Sequence, residues 1–260
     1  MTTVSSLHVY PIKGARGTSV ASASVGDRGF VDDRRYMVVD PNGVAITQRE
    51  VARLALVEPT LESGGLRVVS PGMPPLKVGR GGDRRSAVVW SAVVDALDVG
   101  REAAEWFSSV LGVHCSLVYM PDHARRPVNP KYDDSGAIVS FADGFPFLLA
   151  SESSLADLNA RLESPVPMDR FRPNVVVRGA PAWAEDDWDR IAIGEVEFSV
   201  PKPCDRCVVT TIDQSSGVAG KEPLRTLATF RARDGRVWFG ENLVHHGQGT
   251  LSVGDVVTVR

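Results

Sequence analysis

Three cysteines in 260 residues are too few for a disulfide scaffold, and their odd number argues against a fully cross-linked set. Small secreted, disulfide-stapled classes are therefore excluded. A reducing compartment is expected instead, where a thiolate is free to act as ligand or nucleophile. No run of about 18 apolar residues occurs, and Met1-Thr2-Thr3-Val4-Ser5-Ser6 has no basic segment followed by an apolar one. The chain thus reads as a soluble cytoplasmic protein with no membrane partner. The 29 basic and 32 acidic residues are spread along the chain and leave a net charge of −3, so the basic footprint of a nucleic-acid binder is missing. No Walker-type loop, dinucleotide fingerprint, nucleophile elbow or Ser-His-Asp order is found, nor any repeat or low-complexity segment.

What is present is 43% hydrophobic content, ample for a core in one large β-rich domain or two ordinary ones. Ser6–Tyr10 reads as a strand that delivers Lys13 into a turn. Arg35–Asp40 and Val44–Thr47 read as a hairpin about Pro41-Asn42-Gly43, and Leu54–Glu58, Leu66–Ser70 and Leu76–Val78 continue as short strands of a small barrel or sandwich. Ala103, Trp106, Phe107, Val110 and Leu111 recur at helical spacing and predict a helix over Glu102–Leu111, stopped by Gly112. Pro121–Ser135 has no periodicity and reads as a long loop near a domain boundary, separating residues 1–120 from 121–260. Beyond it come strands over Phe147–Ala150, Val175–Val177, Trp188–Ile193, Val196–Val200 and Leu251–Val259, and helices over Leu155–Leu162 and Leu224–Phe230. The fold class expected is mainly β with a few helices, the second half a β-barrel.

Chemistry concentrates in Pro201–Leu227, PKPCDRCVVTTIDQSSGVAGKEPLRTL. Cys204 and Cys207 straddle Asp205 and Arg206, ahead of Val208–Ile212, whose β-branched content predicts a strand. Four readings remain open: a redox pair, half of a zinc site, two ordinary buried cysteines, or one thiolate ligating a soft metal or cofactor. A redox pair lacks the helix that usually follows. A zinc site lacks two further ligands, since Cys115 is solitary and His245-His246 are adjacent in a polar loop. The last reading is favoured because the guanidinium of Arg206 beside a thiol favours the charged form. Elsewhere, Lys13, Arg34 and Arg172 each follow or precede a strand. They are surface charges if separate, with Asp32, Asp33 and Asp143 as possible partners, and an anion site if they converge. Glu185-Asp186-Asp187 reads as a solvated turn, and His123 with Arg125-Arg126 as a gate or a solubilising surface.

The stretch KPCDRCVVTTIDQSSGVAGKEPLRTL, with RFRPNVVV and EDDWDRIAIG upstream, resembles the signature of the MOSC domain, the molybdenum-cofactor sulfurase C-terminal family. LHVYPIKG, DDRRYMVVDPNGVAITQRE and VARLALVEP resemble the β-barrel domain that precedes it in the mitochondrial amidoxime reducing components and their bacterial relatives. The resemblance implies an N-terminal β-barrel domain followed by a MOSC β-barrel domain, and a molybdenum cofactor (Mo-molybdopterin) whose metal is bound by Cys207. A thiolate suits soft, sulfur-held molybdenum. It further implies that Lys13, Arg34, Arg172 and Asn174 hold the pterin and its phosphate, with contacts from Asp205 and Arg206, while Cys204 has no metal bond. Gly14 stands where relatives often have serine, and Gly144-Phe145 where some have small hydroxyl residues. The implied activity is reduction of small N-hydroxylated compounds, such as amidoximes, with His123 or a water in the long loop as a candidate proton donor. No cysteine spacing fits an iron–sulfur cluster, so a separate electron donor is implied, a ferredoxin, flavoprotein or haem protein. A monomer is expected. The alternative is a carrier of the cofactor or of sulfur that does not turn over.

Overall fold

In the computed structural model, which describes residues 1–260, the first helix spans Arg101–Leu111. Its apolar stripe Ala103, Trp106, Phe107, Val110 and Leu111 is buried along one face. Gly112 ends it in the left-handed region at φ 73°, its N–H on the Ser108 carbonyl. The helix closes the first core against two small antiparallel sheets. One has the order Tyr36–Val39, Ser116–Tyr119, Ala92–Asp98, Asp83–Val89, and the other Glu58–Glu62, Gly65–Val69, Leu76–Gly79. Fully buried Phe107 and Leu117 each contribute on the order of 1.5–3 kcal/mol of hydrophobic stabilisation.

A nine-stranded sheet organises the rest. Its order is Val257–Val259, Arg190–Ile193, Val196–Asp205, Arg236–His246, Phe147–Ser151, Val175–Arg178, Thr3–Val9, Thr18–Val20, with Ala232–Arg233 on a branch. Phe147–Ser151 and Val175–Arg178 run parallel, and parallel neighbours need a crossover; the helix Glu152–Asn159 lies in it. The sheet is not a closed barrel ladder. Its ends are stapled where Val4 N–H donates to the Asp255 carbonyl (2.9 Å) and Val257 N–H to the Thr2 carbonyl (2.9 Å). The molecule is mainly β with three α-helices, as expected. No helix is long and apolar enough to cross a membrane.

The first strand sits inside the sheet of the second half, so the chain's two ends share one core. Thr3–Val9 pairs with Val175–Arg178, and Ser22–Gly26 with Gly249–Ser252.

Several expected elements differ. Leu54 and Leu56 belong to a 3-10 turn, Ala52–Leu56, and the strand starts only at Glu58. Val44–Thr47 meets Tyr36–Val39 through a single bridge, Val39 with Ala45, because its next residues turn away to build a loop. Val208–Thr211 is a 3-10 turn and not a strand: the strand is Val196–Asp205, before the second cysteine, and Thr210 and Thr211 fold their hydroxyls back onto the Cys207 and Val208 carbonyls (3.0 and 2.8 Å). His245-His246 end the strand Arg236–His246 instead of lying in a loop.

The acidic run is not simply a solvated turn either. Glu185 is fully buried and accepts from Ser154 Oγ at 2.6 Å. Across from it lies Glu241, 2% exposed, and one oxygen on each of these carboxyls has no hydrogen-bond partner. Burial pushes the Glu241 carboxyl up to about 9, helped by the negative charge of Asp186 and Glu185.

Candidate functional site

Lys13, Arg34, Arg172, Asn174, Asp205, Arg206 and Cys207, from four separate stretches of chain, all line a single cleft, together with Cys204, Asp143 and Arg49. The cleft lies between the two halves of the molecule. Its lining includes the end of the strand Val196–Asp205 and the chain that leaves Thr3–Val9.

Lys13 follows that first strand, its N–H on the Tyr36 carbonyl at 2.8 Å. Its side chain is 7% exposed and its ammonium pairs with Asp143. Burial lowers the Lys13 pKa against the pull of Asp143. Desolvation also opposes charge on Asp143, but Lys13, then Arg49 and Arg34, override it and hold the carboxyl well below the usual range. Asp143 nevertheless leaves 67% of its side chain accessible, because the cleft is open beside it, so solvent screening weakens the pair. Asp143 is held in place from below by Arg126, whose guanidinium donates to the Ser140, Ala142 and Asp143 carbonyls (3.0, 2.5 and 2.7 Å). Arg126 of the long loop is thus a buttress and not a solubilising charge.

Arg34 adopts φ 49° and donates to Asp33 at 2.5 Å and to Asn174 Oδ1 at 2.8 Å. Asn174, 1% exposed, also accepts from Leu148 N–H and gives its amide hydrogens to the His8 carbonyl and Asp33 (3.3, 3.2 and 3.2 Å). All four of its bonding positions are taken by protein, so its part is to fix Arg34 and Asp33. Arg34 and Arg172 lie over the ring of Tyr10, at 4.2 and 4.5 Å from its centroid. Burial pushes the Tyr10 hydroxyl up to about 12, and that hydroxyl donates to the Pro173 carbonyl at 3.0 Å. Arg172, at φ 58°, has no acidic partner or hydrogen-bond acceptor; burial lowers it to about 10, so it stays charged at neutral pH.

The two thiols are not equivalent. Arg206 donates to Cys204 Sγ at 2.9 Å and to the Phe171 carbonyl at 2.7 Å, so the guanidinium expected to favour a Cys207 thiolate faces the other sulfur. Burial raises the Cys204 thiol in spite of Arg206. The cation at Cys207 is Arg49, whose Nη1 is 3.6 Å from Sγ. Asp205 pairs outward with Arg236 at 2.7 Å.

His123 lies outside the cleft, exposed and bonded to Asp95 at 2.7 Å. Cys115 is buried in the first core beside Ser108. No group of three or more His, Cys, Asp or Glu side chains is placed to hold a metal by itself. Sequence reasoning missed Arg49 and the buried amide pair Gln48–Gln214, whose side chains bond reciprocally at 2.9 Å and anchor the lining residue Gln48. Only the run TQRE directly after the hairpin pointed to them.

Residues 1–114 match the MOSC N-terminal beta barrel domain, and residues 137–258 match the MOSC domain. The chain belongs to the MOSC family of molybdenum-cofactor-binding domains. It is 37% identical to mitochondrial amidoxime reducing component 2 of Rattus norvegicus over 98% of this chain and 82% of that protein. It is 35% identical to mitochondrial amidoxime-reducing component 1 of Mus musculus (98% and 81%) and 34% identical to that of Homo sapiens (98% and 82%).

The residues present fit such a cofactor. Cys207 supplies one soft donor, where a metal whose other ligands are the cofactor's own sulfurs needs no further protein ligand. Arg172 is a charged guanidinium in the same cleft with nothing to pair with, as an anion-bearing ligand requires.

Proposed function

We propose that the chain is a molybdenum-cofactor-dependent reductase of small N-hydroxylated compounds. The observation that carries this reading is the presence of a free thiol, Cys207, and an unpaired, desolvated guanidinium, Arg172, in one cleft. The names of the relatives support the reaction class. The overall change is R–NH–OH plus two electrons and two protons giving R–NH2 and water. When bound, the cofactor supplies the two-electron chemistry at the N–O bond, and the protein supplies position, charge and dryness.

In this reading Cys207 is the protein's ligand to the metal. Arg172, its guanidinium over Tyr10, offers its unpaired fork to the cofactor's phosphate or pterin, and Arg34, over the same ring and kept in place by Asn174 and Asp33, adds positive charge beside it. Arg206 fixes Cys204 and the Phe171 carbonyl, both in the lining of the cleft. Electrons come from a separate ferredoxin, flavoprotein or haem protein.

Metal and pterin analysis of purified protein, with an artificial electron donor and benzamidoxime, tests this. Cys207→Ala is expected to lose both molybdenum and reduction, and Cys204→Ala to keep both. Bound molybdenum without any reduction would favour a cofactor or sulfur carrier, and a metal-free protein from a cofactor-competent host would overturn both readings.

A further inference from the structure

The cleft holds one cation more than the proposed function uses. Lys13 is matched by Asp143, Arg34 by Asp33, and Arg206 by the Cys204 sulfur and a carbonyl. Arg172 serves the cofactor's anion. Arg49 is left with no acidic partner: its one polar contact is the Cys207 sulfur, which leaves most of its five N–H donors free. Asp143 feels its charge, but Asp143 is engaged by Lys13.

The loop that presents Arg49 is built to hold it. Thr47 donates its N–H and its hydroxyl to Glu50 at 2.9 and 2.7 Å, which removes the nearest carboxylate from competition. Arg49 N–H donates back to Thr47 Oγ1 at 3.2 Å. Gln48 is 2% exposed and anchored to the Gly14 carbonyl (2.6 Å) and to Gln214 (2.9 Å).

The side chain is held by a residue from elsewhere. Trp90 stands at the tip of the hairpin that joins Asp83–Val89 to Ala92–Asp98, and its ring carries the Arg49 guanidinium 4.6 Å from its centroid. Trp90 is 58% exposed, an unusual fate for an indole, and adopts φ 56°, a left-handed backbone that a bulky residue ordinarily avoids. A strained aromatic at a surface tip calls for an explanation when its ring is what positions a free cation at the Cys207 sulfur.

We propose that Trp90 is a positioning residue that holds Arg49 at the mouth of the cleft, beside Cys207, where Arg49 recognises a carboxylate or phosphate on the incoming N-hydroxylated substrate. This rests on the proposed function and extends it: the site prefers anionic N-hydroxy compounds over neutral ones of the same shape. Lysine would not substitute for Arg49, because the planar guanidinium can stack on the indole through its face while its edge donates to the anion.

The test uses the cofactor-loaded full chain and two substrates, 4-carboxybenzamidoxime and benzamidoxime. Trp90→Ala is expected to raise KM for the carboxylate about tenfold, the weight of one charge-assisted hydrogen bond. Its kcat should hold, and KM for the neutral compound should move by less than about twofold. Trp90→Phe keeps a ring under the guanidinium and should restore most of the preference, whereas Trp90→Gly, which relieves the backbone but removes the ring, should behave like Trp90→Ala. Equal shifts for both substrates, or no rescue by phenylalanine, would overturn the proposal. A fall in molybdenum and pterin content in Trp90→Ala would overturn it too, because Arg49's anion would then be the cofactor's phosphate. Calorimetric binding of benzoate and benzamide to the same proteins separates this idea from the reaction itself. Benzoate should bind the wild type more tightly and lose that advantage in Trp90→Ala whether or not any substrate is reduced, and a wild type without that preference would sink the proposal.

Discussion

Replacing Glu241 by glutamine removes a titration without removing much volume. In the unfolded chain this carboxyl ionises at the ordinary 4.5, and in the fold burial keeps it protonated up to about 9. Below 4.5 both states carry the proton and the native residue costs nothing extra. As pH rises from 4.5 to about 9 only the unfolded state releases it, so stability falls steadily through that window and levels off above it. At pH 7.5 the separation of about three pH units, at 1.36 kcal/mol each, is worth roughly 4 kcal/mol. That is an upper figure, because a folded protein relaxes around a buried charge. Glu241→Gln should therefore match the wild type near pH 4.5 and exceed it by roughly 2–4 kcal/mol at pH 7.5, a Tm gain of about 5–15 °C for a chain of this size. Urea melts at a series of pH values measure this directly. Parallel stability curves for the two proteins from pH 5 to 8 would refute the reasoning, because they would mean that Glu241 is ionised and solvated in the fold.

Arg172→Met keeps an unbranched apolar side chain but removes the charge, and it should weaken cofactor retention by about 10–100-fold, one charge-assisted fork in a desolvated site; molybdenum remaining after gel filtration reports it, and full retention would assign the anion elsewhere. Phe107→Ala empties the centre of the first core and should cost about 3–5 kcal/mol by denaturant melts, with the Gly112 cap unable to compensate for a lost face of the helix.

The β-rich fold was legible because alternation and turn chemistry are local: Val175-Val176-Val177 and the Asn42-Gly43 turn declare themselves. The 3-10 turn at Val208–Thr211 did not. Its β-branched residues favour a strand by propensity, but the Thr210 and Thr211 hydroxyls satisfy the preceding carbonyls and close a turn. Lys13, Arg34 and Arg172 were visible as cations beside strand ends, yet which of them were neutralised was not, since Asp143 reaches Lys13 across 130 residues. Arg206 misled for the opposite reason. It is adjacent to Cys207 in sequence, but the extended chain through Asp205 turns it toward Cys204 and Phe171, and Arg49, 158 residues away, fills the place beside Cys207. Glu241 gave no local sign, because a lone glutamate in a strand is ordinarily read as facing water.

The seating of Thr3–Val9 has a consequence for how the protein is made. Thr3–Val9 finds its neighbour only when Val175–Arg178, about 170 residues later, has been synthesised, and the staple only when Asp255 and Val257 have followed. Pairings this distant form slowly, after local ones. The Gln48–Gln214 bridge that anchors the cleft residue Gln48 keeps the same schedule. The cleft, lined from Lys13 to Asn242, is on this ground completed late, and under the proposed function cofactor capture follows the long-range pairings instead of preceding them.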